Sequence, residues 1–94
     1  MKRTITGVDI YIVQKEIPKI TSACPLLQLT TIFNRGTKIF PGAAPVCHLT
    51  DVYQCRFEVP EEAQASLSNI KDLLHQLEQQ GFHWCEVHNI YRFE

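Results

Sequence analysis

The stretch 51-DVYQCRFEVPEEAQASLSNIKDLLHQLEQQG-81 changes its apolar period at Pro60, from the two-residue repeat of a strand to the roughly 3.6-residue repeat of a helix. Before the proline, Asp51, Tyr53, Cys55, Phe57 and Val59 fall on one side and Val52, Gln54, Arg56 and Glu58 on the other. The first set is richer in large apolar groups, so Tyr53, Cys55 and Phe57 are expected to face a core and Arg56 to point away from it. Asp51 and Arg56 lie on opposite faces and cannot pair within this strand. After the proline, Ala63, Leu67, Ile70, Leu74 and Leu77 recur at spacings of four and three, one apolar stripe on a helix with Leu74 at its centre. Pro60, Glu61 and Glu62 suit a helix start, Ser66 offers an alternative cap one turn later, and Gly81 suits the residue just past the helix end.

Upstream, Gly7–Gln14 alternates Val8, Ile10 and Ile12 against Asp9, Tyr11 and Val13 and reads as a strand. Pro18 and Pro25 fence off the residues that follow, which reads as a connection with at most one helical turn. Leu26–Phe33 reads as a second strand. Asn34-Arg35-Gly36 then supplies residues that tolerate positive φ, so the chain either turns back in a tight hairpin or continues through a glycine bulge to Phe40. Pro41-Gly42 closes that segment and a loop follows. Downstream of Gly81, Phe82–Phe93 reads as the last strand.

The order of elements is that of a ferredoxin-like βαββαβ fold: a single small α+β domain over residues 1–94, an antiparallel sheet with one main helix and a reduced first helix. One long helix covers part of one sheet face. The other face is expected to carry apolar side chains, Val52 with Trp84, Ile90 or Ile32, and to be buried against another subunit or domain.

A formal net charge of −1 gives no electrostatic reason for nucleic acid or an anionic membrane as a partner. The strand at 51–59 lacks the basic-aromatic signature of an RNA-binding sheet. No apolar run is long enough to span a bilayer and no secretory signal opens the sequence, which points to the cytoplasm and to reduced, buried thiols. Cys24, Cys47, His48, Cys55, His83, Cys85 and His88 could each ligate a metal, but no close C-x-x-C pair aims two of them at one ion, so no metal is expected. Cys47 beside His48 and Cys55 beside Arg56 are poor nucleophile pairs, since neighbours in a strand point apart. Asn34–Lys38 lacks the glycine spacing of a phosphate loop, and Glu86 with His88 reads as a surface pair. No catalytic set and no cofactor site is visible.

Three segments, NRGTKIFP (34–41), LTDVYQCRF (49–57) and LLHQLEQQGFHWCEVHNIYRF (73–93), with TGVDIYI at the front, resemble the C-terminal accessory domain of the long type of bacterial NADP-dependent isocitrate dehydrogenase. The shared pattern falls on Asn34, Arg35, Gly36, Lys38, Pro41, Thr50, Asp51, Cys55, Arg56, Phe57, Glu86, Asn89, Tyr91 and Phe93. Phe40 stands where the family usually has Trp, Gln54 replaces a basic residue, and the connection after the first strand is too short for the helix expected there. The family's metal, isocitrate and cofactor sites lie in a catalytic core, so the resemblance carries over no catalytic residue and leaves open whether the chain is part of, or associated with, such an enzyme. It implies a non-catalytic accessory, oligomerisation or regulatory domain, excised or free-standing. The partner would be a second copy or a dehydrogenase core, with Arg35, Lys38, Arg56 and Trp84 as interface or polar anchors. The alternative is a free-standing small-molecule-sensing domain of the ACT-like kind.

Overall fold

The computed structural model describes residues 3–37, 51–64 and 70–93. Strands β1 (Arg3–Val13), β2 (Gln28–Thr37), β3 (Asp51–Glu58) and β4 (Glu86–Phe93) form one sheet in the order β2-β3-β1-β4. Every neighbouring pair is antiparallel. The helices described are α1 (Ile17–Ala23), α2 (Glu61–Gln64) and α3 (Ile70–Glu78). With β1 and β3 side by side in the centre, this is the ferredoxin-like arrangement of an α+β domain. Lys38, the loop expected after it, and Ser66 and Leu67 of the expected helix lie outside the described residues, as does the side chain of Ala63.

One face of the sheet makes the core. Val8, Ile10 and Ile12 of β1, Cys55 and Phe57 of β3 and Val87 of β4 pack against Ile20 and Cys24 from α1 and its cap and Ile70, Leu74 and Leu77 from α3. Alternation places these strand residues on one side, and the helical spacing of 70, 74 and 77 presents one stripe to them. Phe57, Cys55 and Leu74 are completely buried, while Tyr53 is half-buried at the margin of the same cluster.

The end of α3 shows how closely the backbone follows the sequence. Gly81 has φ +88°, a region that suits glycine. Its N–H donates to the Glu78 carbonyl at 3.0 Å and the Phe82 N–H donates to the Leu77 carbonyl at 3.3 Å, the paired bonds of a Schellman motif. Leu77 and Phe82 are both buried in the core cluster, the apolar contact that accompanies that motif.

The connection after β1 holds the reduced first helix that was expected, longer than a single turn. A 3₁₀ turn, Gln14–Glu16, leads directly into α1, a helix of 7 residues. Pro18 sits in the first turn of that helix, where an absent N–H costs nothing, and Pro25 lies beyond its cap. The two prolines therefore frame a helix rather than forbid one. Glu16, fully buried just before α1, anchors it. Its Oε2 accepts the His83 backbone N–H at 2.7 Å, and its Oε1 lies 3.0 Å from Lys19 Nζ. Lys19 in turn donates to the Gly81 carbonyl at 3.4 Å, so the first helix is tied to the turn after α3.

Strand β2 resolves the choice left at Asn34-Arg35-Gly36: the chain continues as one strand through a bulge. Its register against β3 shifts between Leu29 and Thr31 and again between Asn34 and Gly36. In the second bulge Gly36 has φ +72° and its N–H donates to Asn34 Oδ1 at 2.7 Å, an Asx turn that holds the kink. In the first, the Thr30 hydroxyl donates to the Arg56 carbonyl at 3.0 Å. The last strand begins at Glu86, not at Phe82, because residues 82–85 form the approach to it.

Candidate docking site on the open sheet face

The side of the sheet away from α1 and α3 was expected to be apolar. It is built instead around a charged hydrogen-bond network. Asp9 of β1 and Gln54 of β3 point to this side and are buried, at 6% and 4% exposure. The Asp9 carboxylate accepts from Arg56 Nε at 2.9 Å and Nη2 at 3.0 Å, and from Gln54 Nε2 at 2.8 Å. Gln54 Oε1 accepts from Arg35 Nε at 2.7 Å and from Arg35 Nη2. The Gln54 amide therefore passes the contact from Arg35 to Asp9, and both polar atoms of its side chain have a partner.

The register explains the assembly. Asp9 pairs with Arg56 and Tyr11 with Gln54 across β1 and β3, and Phe33 pairs with Gln54 across β2 and β3. Same-face neighbours one pair apart are within reach of long side chains. The bulge at Asn34–Gly36 bends β2 where Arg35 leaves it, and the side chain reaches Gln54 on this face. Arg35 and Arg56 lie 5.4 and 6.0 Å from the Phe33 ring centroid, within cation–π range. The paired hydrogen bonds from Arg56 hold the Asp9 carboxyl below its usual range against the opposing effect of burial, and Gln54 adds to the lowering. Asp9 in return raises the Arg56 guanidinium, while burial and the Asp9 charge raise the Tyr11 phenol.

The rest of this face is mixed. Val13 and Val52 are paired in register and buried outside the main core. On β4, His88 Nε2 stands 3.5 Å from Glu86 Oε2 and its ring meets the edge of Tyr11 at 5.5 Å. Ile90 is half-buried. Ile32 shares the side of Cys55, at the exposed margin of β2.

Trp84 is not on the open face. Its indole Nε1 donates to Glu78 Oε1 at 2.6 Å and its ring meets His75 edge-on at 5.5 Å, both on α3. The strand expected over Phe82–Phe93 would have aimed it outward, but the chain is not yet in the sheet at residue 84. Of the sequence-derived anchors, Arg35 and Arg56 therefore come together, Trp84 stands apart on the helical side, and Lys38 lies outside the described residues. Asp9 and Gln54, the buried floor of the network, were not singled out from the sequence. A carboxylate set among Val8, Ile10 and Ile12 was the available signal.

Among the described residues the thiols offer no nucleophile. Burial pushes Cys55 up to about 11 and raises Cys24 as well, so both stay protonated near neutrality. Cys85 is disulfide-bonded, which corrects the expectation of uniformly reduced thiols. Among the described residues no group of three or more His, Cys, Asp or Glu side chains could hold a metal ion, and no helix is long and apolar enough to cross a membrane.

Fold and face together define a ferredoxin-like α+β module whose described helices lie on one side of the sheet and whose other side presents two arginines on a fixed polar floor. The chain belongs to the family of bacterial isocitrate dehydrogenase C-terminal domains, whose model matches residues 3–94. It is similar to isocitrate dehydrogenase [NADP] of Thermus thermophilus, with 27% identity over 100 residues covering 98% of this chain. The chain spans 20% of the length of that curated relative. No solved structure matches it. The segments that carry the family pattern now have physical roles: NRG makes the bulge and delivers Arg35, CRF alternates between core and network, and Asn89 Nδ2 donates to the Tyr91 hydroxyl at 3.0 Å on β4.

Proposed function

We propose that this chain is a non-catalytic accessory domain of the isocitrate dehydrogenase kind, which docks through its open sheet face on a dehydrogenase core or on a second copy and so supports assembly or modulates the enzyme. The observation that carries the reading is the pair Arg35 and Arg56, held outward around Phe33 by buried Asp9 and Gln54. Ordering long side chains costs conformational entropy. A network that meets this cost on an outer face gives a partner preorganised contacts, and arginine and aromatic residues dominate the energetics of protein interfaces. Phe33 is 39% exposed, so apolar area is available beside the charges. On this reading the domain works in the cytoplasm with its enzyme. No observation favours the small-molecule sensor.

Sizing chromatography with light scattering tests this directly. The chain is expected to run above the mass of a single chain, or to co-elute with a separately produced catalytic core of an NADP-dependent isocitrate dehydrogenase. A stable monomer that ignores the core would overturn the proposal.

A further inference from the structure

Two arginines meet on the open face where β2 adjoins β3. Two guanidiniums surround one phenyl ring, and Asp9 is the single carboxylate bonded to either of them among the described residues. The whole chain has a net charge of −1, so the meeting of two guanidiniums is not a by-product of a basic composition. Each arginine uses its Nε and Nη2 inside the network. The outer nitrogen, Nη1, makes no hydrogen bond to a described residue in either case, and both side chains are exposed. Asp9 offsets the charge of Arg56, whereas the neutral Gln54 amide holds Arg35 without offsetting its charge. A carboxylate placed against the Nη1 edges forms charge-assisted hydrogen bonds. Strand addition at β2 is a poor alternative, because two bulges break the straight edge that another strand would need. Recognition must then come from side chains.

We propose that Arg35 and Arg56 receive carboxylate side chains from a partner polypeptide, with Phe33 supplying the apolar contact between them. This rests on the docking reading above and adds the chemistry of the partner.

The probe is a hexaglutamate peptide titrated into the ¹⁵N-labelled full chain, read at the Nε–H signals of Arg35 and Arg56 and the side-chain amide of Gln54. The expected result is saturable shifts at these three groups and not in α3. Arg35→Gln, which leaves the Asp9–Arg56 pair in place and should fold, is expected to weaken binding about tenfold, the effect of losing one or two charge-assisted hydrogen bonds. Lys15→Gln, an exposed cation outside the network, should leave it unchanged. Succinate at equal carboxylate concentration producing the same saturable shifts would overturn the proposal in favour of a small-anion site. So would shifts confined to α3, no shifts at all, or equal loss in Arg35→Gln and Lys15→Gln. The two readings fail separately: association with the catalytic core without a hexaglutamate response removes the carboxylate chemistry alone, whereas a hexaglutamate response in a chain that never associates removes the docking reading.

Discussion

Phe57→Ala is expected to lower the melting temperature by roughly 15–30 °C and to leave the domain close to unfolding at physiological temperature. Phe57 is completely buried near the C-terminal end of β3, in the cluster that joins the sheet to α1 and α3. Truncating a buried phenylalanine costs about 3–5 kcal/mol in lost burial and residual cavity. A domain of 94 residues has a total stability of roughly 5–14 kcal/mol, and each kcal/mol moves the melting temperature of a domain this size by about 4–8 °C. Phe33→Ala, on the exposed margin, should cost less than about 1 kcal/mol. Thermal unfolding followed by circular dichroism compares the two. Equal shifts would mean that the core does not lie between this sheet face and the helices.

Asp9→Asn is expected to destabilise the domain by about 1–2 kcal/mol near neutral pH, and the deficit should vanish in acid. The variant keeps the shape but removes the charge that Arg56 and Gln54 address. The magnitude is reduced from that of a fully buried pair because the Arg56 side chain is 45% exposed and its charge is partly screened. The folded-state carboxyl of Asp9 lies below its usual range, so its stabilisation is fully present above the unfolded value of about 3.9 and is lost as pH falls through the lower folded value. Urea midpoints measured from neutral pH into acid should therefore draw together for the two proteins as pH falls. A constant gap across that range would show that the carboxylate charge is not what the network uses.

The fold was legible where local pattern and tertiary outcome agree. The alternation through Asp51–Val59 placed Cys55 and Phe57 on one side and Arg56 on the other, and the 70-74-77 stripe marked the helix face that meets them. Gly81 marked the helix end because a Schellman turn requires a residue at positive φ. The prolines misled, since Pro18 at a helix start and Pro18 in a loop look alike in sequence; burial of Ile20 and the Glu16 anchor decides between them. Trp84 misled for a related reason: strand-like composition at Phe82–Cys85 does not reveal that the Schellman turn must first run out before the chain reaches β1.

The polar network was less legible because it exists only through register. Asp9 and Gln54 are 45 residues apart and Asp9 and Arg56 are 47 apart. A shift of one residue in the β1–β3 pairing would send them to opposite faces. The expectation of an apolar open face failed at this point. Counting the area one helix can cover says that a second face is left over, but not whether a chain equips that face with valines or with a carboxylate and two arginines.

The central claim, that the domain docks through this face, is tested most directly by amide hydrogen exchange on the full chain with and without a separately produced catalytic core of an NADP-dependent isocitrate dehydrogenase. Docking predicts slower exchange in Gln28–Thr37 and Asp51–Glu58 when the core is present, with Ile70–Glu78 unchanged. Protection confined to Ile70–Glu78, or no protection anywhere, would contradict it.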